Sequence, residues 1–345
     1  PASVTSFAGS GSDLWVGTDG AGVFHMVKGG KSGVFNAENS PLSNNSVMTM
    51  AMDNGGSLWI GTYLDGVFIK SPSGAISRFR DSSGLPSEKT SVMLYDKTGD
   101  RMYVGMFGGG VAIVSASDQK ILKVIDDRQV RWPETLMLDG NQLWVGSVTG
   151  LHRYNLLLDE LETDLVPNTT VLSSVLHDGK IVLGTRDGII FYDPSTGGST
   201  NCRKADGLAD DVVTGLAEGF DGDLWASTSN GLSLITKDRI KNFYSYDGLQ
   251  GNEFRRSAVL KTEDFIYLGG NRGMTMISAG SQAKMNSVLP KLKISGLRVM
   301  YETKDSLLRY GGPLKIRHKE NIFSIGFTAL EFTNPNRVRY SYMME

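Results

Sequence analysis

A five-residue pattern, Leu58-Trp59-Ile60-Gly61-Thr62, returns along the chain at a nearly fixed interval, and that interval limits the possible folds more than any other feature. Variants start at Leu14, Met102, Leu143, Ile181, Leu224 and Ile266, which makes seven copies. Their fourth positions are Gly17, Gly61, Gly105, Gly146, Gly184, Ser227 and Gly269, so successive steps are 44, 44, 41, 38, 43 and 42 residues. A period of about 40 residues with short strands is that of propeller blades. The second copy shows the plan of each: Val47 to Met52, a turn at Asp53-Asn54-Gly55-Gly56, then Leu58 to Thr62, Gly66 to Lys70 and Ala75 to Arg80. Apolar runs of four to six residues separated by Gly, Asn, Asp and Ser read as β meanders, and no stretch offers a convincing helix.

A four-stranded sheet with an apolar face is unstable alone, whereas seven stacked radially cover one another and expose only short edges. The motif positions then acquire structural roles. Trp15, Trp59, Trp144 and Trp225, with Tyr103 and Tyr267 at matching places, are expected to fill the space between neighbouring sheets. The matching glycines let backbones approach, and a second glycine series from Gly22 to Gly273 supplies the turn into the third strand. The chain is therefore expected to be all-β, with a seven-bladed β-propeller of four-stranded antiparallel blades over residues 1–289. Met48, Met50, Met52, Met274 and Met276 lie at strand spacing and read as core filler.

After Pro290 the repeat stops. Lys291 to Met300, Pro313 to Ile316, Asn321 to Thr328 and Arg337 to Tyr342 read as strands, with Phe323, Ile325 and Phe327 forming one apolar face. Residues 290–345 are thus expected to open a second, sandwich-like domain, truncated because a full sandwich needs about seven strands. The seventh repeat has no clear fourth strand. Either Ser281 to Val288 completes it or a strand preceding Pro1 does.

Composition narrows the function classes. A formal charge of −2 offers no basic footprint for nucleic acid. No run approaches the ~20 apolar residues of a membrane helix. One cysteine, Cys202, allows no internal disulfide. Pro1-Ala2-Ser3 runs directly into a strand pattern, as expected of a processed or excised fragment. His25, His152, His177 and His318 lack metal-ligand spacing, so no metal and no cofactor is expected. Gly30-Lys31-Ser32 lacks the earlier glycine of a phosphate loop, and Asp221-Gly222-Asp223 reads as a hairpin turn rather than a calcium loop. Asp126, Asp127, Asp210 and Asp211 leave an acid/base pair open, but no catalytic residue is assigned.

The spacing from motif glycine to turn glycine is five residues in the first three repeats and four in the others, which predicts longer loops between second and third strands there. Those loops share a face with the linkers between blades, and loops are where ligand contacts concentrate. The expected rim set is Tyr63, Phe107, Arg128, Arg131, Trp132, Arg186, Asn230 and Arg272. Trp132 stands outside the repeat pattern beside Arg128 and Arg131, an arrangement suited to a sugar ring with acidic substituents or to packing beneath its own loop.

The phrases Gly84-Leu85-Pro86-Ser87, Leu58-Trp59-Ile60-Gly61-Thr62 and Gly150-Leu151-His152-Arg153-Tyr154 resemble the regulator-propeller repeats of hybrid two-component sensors from gut Bacteroidetes. Asp247 to Phe254 with Tyr267-Leu268-Gly269-Gly270 resembles the last such repeat. Phe323 to Glu331, Asn334-Pro335 and Tyr340-Ser341-Tyr342 resemble the opening of the triple-tyrosine, immunoglobulin-like (Ig-like) module that follows it. The resemblance implies a periplasmic part of an inner-membrane protein whose membrane tether lies outside this chain. It further implies an oligosaccharide ligand, a homodimer through the Ig-like module, and signalling to a histidine kinase, a receiver and a DNA-binding domain that this chain lacks. On that reading the region itself is no enzyme. A propeller lyase or hydrolase acting on a glycan or cyclic peptide, and a protein-binding scaffold, stay open as alternatives.

Overall fold

The computed structural model describes residues 2–10, 12–27, 30–79, 84–280, 291–304, 317, 319–330, 338 and 340–343. Two compact units emerge, Pro1–Ser281 and Gln282–Glu345. The boundary expected after residue 289 falls within 281–290, outside the described residues.

Among the described residues the first unit has seven antiparallel sheets, I to VII, over residues 3–35, 47–78, 90–125, 133–167, 171–202, 213–243 and 254–278. Sheets I to VI are four-stranded meanders in chain order, and sheet VII has three strands among the described residues. The fourth strand sought at Ser281 to Val288 lies outside those residues. Among the described residues helix is limited to the 3₁₀ turns Lys204–Asp206 and Ser245–Asp247. No helix among the described residues is long and apolar enough to cross a membrane.

Apolar side chains explain how the sheets associate. Seven buried clusters occur among the described residues, and each draws on two neighbouring sheets. Trp15 packs between I and II, Trp59 between II and III, Tyr103 between III and IV, Trp144 between IV and V, and Trp225 between VI and VII. Val182 takes the matching role between V and VI. Tyr267 lies with Val4, Phe7, Leu14 and Val16, which returns sheet VII to sheet I. Radial stacking in a closed circuit is the arrangement of a propeller.

The motif glycine is a point of contact between sheets. A Cβ on Gly61 would lie 2.7 Å from both Thr49 Cγ2 and Thr90 Oγ1, the latter on sheet III. In sheet VI the order is reversed. Ser227 stands at the motif position, and its strand partner Gly215 leaves the space, where a Cβ would lie 2.4 Å from Val259 Cγ2 of sheet VII.

In the second unit, strand Leu292–Val299 pairs with Glu302–Thr303 on one side and Phe323–Ala329 on the other. The expected strand at 313–316 lies outside the described residues, and 338 and 340–342 carry no strand. Phe323, Ile325 and Phe327, expected on a buried face, are 40%, 42% and 39% exposed, because no second sheet covers them among the described residues. Met276 of the first unit is likewise exposed rather than core filler.

Candidate functional site

Backbone hydrogen bonds define the loop face. The loops between second and third strands span 20–22, 63–66 and 107–109 in sheets I to III and two residues each in sheets IV to VII, as the glycine spacing predicts. They bond to the linkers between sheets: Tyr63 N donates to Ser46 O, Phe107 N to Lys89 O, Gly108 N to Arg131 O, and Gly231 N to Asn252 O. Loops and linkers therefore form one surface.

Two groups of the expected rim residues come together on it. Phe107 and Trp132 lie with ring centroids 6.1 Å apart, and Trp132 is 49% exposed. Trp132 leans on the neighbouring loop at Phe107 and Gly108 rather than beneath its own. Arg131 reaches back to Asp126, with Nε to Oδ1 at 2.9 Å and Nη2 to Oδ2 at 3.4 Å, and this hydrogen bonding holds its guanidinium above the ordinary value. Arg128 is exposed in the same linker.

Asn230 and Arg272 form the second group. Arg272 lines a polar cleft of about 300 Å³ with Ser245, Gln250, Gly251, Asn252, Glu253 and Asn271. Asn252 Nδ2 donates to Asn230 Oδ1 at 3.2 Å. Tyr63 and Arg186 are exposed on their own loops, apart from the two groups.

The residues the expected set lacked are Arg255, Arg256 and Glu134. The first strand of sheet VII, Phe254–Lys261, pairs Phe254 with Gly270 and then Val259 with Leu268, so the residues between bulge from the sheet. Ser257 sits there in the left-handed region at φ 53°. A bulge re-aims the side chains it carries. Arg255 Nη2 reaches Asp19 Oδ2 of sheet I at 3.0 Å, and Ser257 Oγ donates to Leu172 O of sheet V at 3.1 Å. Arg256 forms an ion pair with Glu134 of sheet IV, and its Cζ lies 5.5 Å from the centroid of the Phe107 ring on sheet III. Sheet VII is thereby tied to the far side of the ring.

Burial pushes the Arg256 guanidinium down to about 10. The adjacent Glu134 carboxylate favours the charged form, so Arg256 is cationic at neutral pH. The available sequence signals were charged residues early in a first strand, Glu134 in the fourth repeat and Arg255-Arg256 in the seventh, a place where the other repeats carry small or apolar residues.

The carboxylates considered for acid/base work have structural partners. Asp126 holds Arg131, and Asp127 Oδ1 accepts from Gln129 N. Asp210 Oδ1 accepts from Val212 N and Ser229 Oγ, and Asp211 Oδ1 from Lys204 N. Asp221-Gly222-Asp223 is a hairpin turn and Gly30-Lys31-Ser32 lies in a strand. No group of three metal-ligating side chains occurs among the described residues.

Comparison with known proteins agrees with this architecture. The family model described as two component regulator propeller matches residues 41–64. The structure is similar to the extracellular domain of BT3049 from B. thetaiotaomicron, described as a hybrid two component system: TM-score 0.80 at 21% identity, covering 97% of this chain and 47% of that one. It is similar to the extracellular domain of BT4673 from the same organism, described as a one component system: TM-score 0.65, 15% identity, 94% and 48% coverage. This chain thus spans about half the length of those two structures. Virginiamycin B lyase from Staphylococcus aureus is similar at TM-score 0.63 and 12% identity, covering 80% of this chain and 94% of the lyase. A comparison with curated proteins returned no match.

Proposed function

We propose that this chain is the ligand-sensing part of a hybrid two-component transmembrane sensor, exposed to the periplasm, that recognises an oligosaccharide and controls glycan utilisation. On this reading the seven sheets are the blades of one propeller over residues 1–289, and residues 290–345 open an Ig-like module through which two copies associate. The observation that carries it is the likeness to the extracellular domain of BT3049 over 97% of this chain, together with the regulator-propeller match. Support for the ligand class comes from the loop face, where a half-exposed tryptophan packs on Phe107, whose ring in turn faces the Arg256 guanidinium paired with Glu134. Signalling requires that the ligand bind one arrangement of the assembly better than another.

The likeness to virginiamycin B lyase is the observation behind a second reading, a propeller lyase. Calorimetry against plant, host and microbial oligosaccharides, with recovered sugar checked for cleavage, separates the two. Intact bound sugar is the expected result; turnover replaces the sensor with an enzyme, and no binding by any oligosaccharide removes the proposed ligand class.

A further inference from the structure

The arginines of the loop face suggest an acidic ligand until their partners are counted. The bulge of sheet VII and the linker before Trp132 carry the cations Arg128, Arg131, Arg255 and Arg256, and the carboxylates that pair with them or adjoin them in the chain are Asp19, Asp126, Asp127 and Glu134. Three of the four cations are paired: Arg131 with Asp126, Arg255 with Asp19, and Arg256 with Glu134. Arg128 follows Asp127 in the chain. The patch is charge-balanced.

Such pairs discriminate between ligand classes. A guanidinium offers N–H donors in a fixed fork and accepts nothing, while a carboxylate only accepts. A sugar hydroxyl does both, so a vicinal diol can accept from Arg256 and donate to Glu134, and each bond is charge-assisted. A ligand carboxylate or sulfate only accepts, and beside Glu134 and Asp126 it would meet like charge. Arg256 is the more accessible member of the pair, with 26% of its side chain exposed against 8% for Glu134, and its Nη1 is the atom that Glu134 occupies. Phe107 adjoins both the guanidinium, at 5.5 Å, and the open indole of Trp132, at 6.1 Å, so the apolar face of a sugar can rest on Trp132 while hydroxyls reach towards the ion pair.

Resting on the oligosaccharide-sensing reading above, we propose that Trp132, Phe107, Arg256 and Glu134 form a subsite for a neutral sugar residue, with Trp132 as the stacking platform and the Arg256–Glu134 pair as the diol clamp. Uronates and sulfated sugars are the disfavoured class.

The test titrates the whole chain by calorimetry with neutral galactose, mannose, xylose and arabinose oligosaccharides and with oligogalacturonides of matched length. Each titration is run at about 50 and about 500 mM salt, a range over which exposed charge interactions are screened. Trp132→Ala and Arg256→Lys are compared with the parent chain, with circular dichroism as the check on folding. Trp132 is half exposed, so its truncation leaves the fold intact if the arginine variant does not.

The expected result is binding of a neutral oligosaccharide that is insensitive to salt and falls on the order of tenfold or more in the folded variants. Preference for oligogalacturonides, with affinity falling as salt rises, overturns the neutral subsite and leaves oligosaccharide sensing standing. Neutral binding unchanged by Trp132→Ala overturns the placement. Silence across the panel overturns the sensing reading and the subsite with it.

Discussion

His152 lies buried in the strand Gly150–Asn155, and its hydrogen bonds specify the tautomer. The hydroxyls of Ser147 and Thr149 both donate to Gln129 O, so they accept from Nε2, at 2.9 and 3.1 Å. Nδ1 accepts from the Asp164 N–H at 3.4 Å. A second proton has no place. Burial pushes its pKa below the ordinary 6.5, against the opposing pull of Asp164 and Asp127. The unfolded chain therefore takes up the proton first as pH falls. Stability from this group is complete above about pH 6.5 and declines on acidification below it. Urea midpoints between pH 7.5 and 5 are expected to fall for the parent chain and to fall less for His152→Gln, a comparison that isolates this residue from the other titrating groups. Trp59 is a plainer case. It is fully buried between sheets II and III, with Nε1 donating to Asp53 Oδ2 at 2.9 Å. Trp59→Ala should cost about 3–5 kcal/mol in denaturant unfolding.

Strand pairs carry the next level of specification. In most sheets a small polar residue on the first strand faces the motif glycine, as Thr49 faces Gly61 and Ser173 faces Gly184. Sheet VI exchanges the two, and the space at Gly215 is taken by Val259 from sheet VII. Val259 follows the Arg255–Ala258 bulge and pairs with Leu268. Gly215→Ala is expected to destabilise by about 1–3 kcal/mol through overpacking. Adding Val259→Ala should recover part of that loss, giving a favourable coupling on the order of 0.5–3 kcal/mol in a double-mutant cycle. Additive effects would show that the two side chains do not compete for that space. The serine at the sixth motif position was visible in the chain, but its compensation was not. Matching Gly215 to Val259 requires knowing how the first strands of two adjacent sheets lie against each other.

At the scale of the whole first unit, Arg256 and Glu134 join sheets VII and IV across the ring rather than around it. Removing one member of a largely buried pair leaves an uncompensated charge, so Arg256→Met or Glu134→Leu alone should cost up to about 3–5 kcal/mol. The two together should cost less than either prediction summed, since no lone charge remains. Equal and additive losses in thermal or urea unfolding would show that the pair does not act as a unit.

The repeat period, the glycines at sheet contacts, the aromatic residues between sheets and the loop lengths were all legible in the chain. Each depends on packing between neighbours of similar sequence, and a repeat displays that packing seven times over. Trp132 and Phe107 were legible as exceptions to the pattern, although their contact was not. The union of Arg256 with Glu134, of Arg255 with Asp19 and of Ser257 with Leu172 was decided by tertiary structure alone. These partners stand far apart along the chain, and no local period relates them. They meet because a closed ring brings sheet VII beside sheet I and its first strand towards those of sheets IV and V, and a single bulge carries all three side chains.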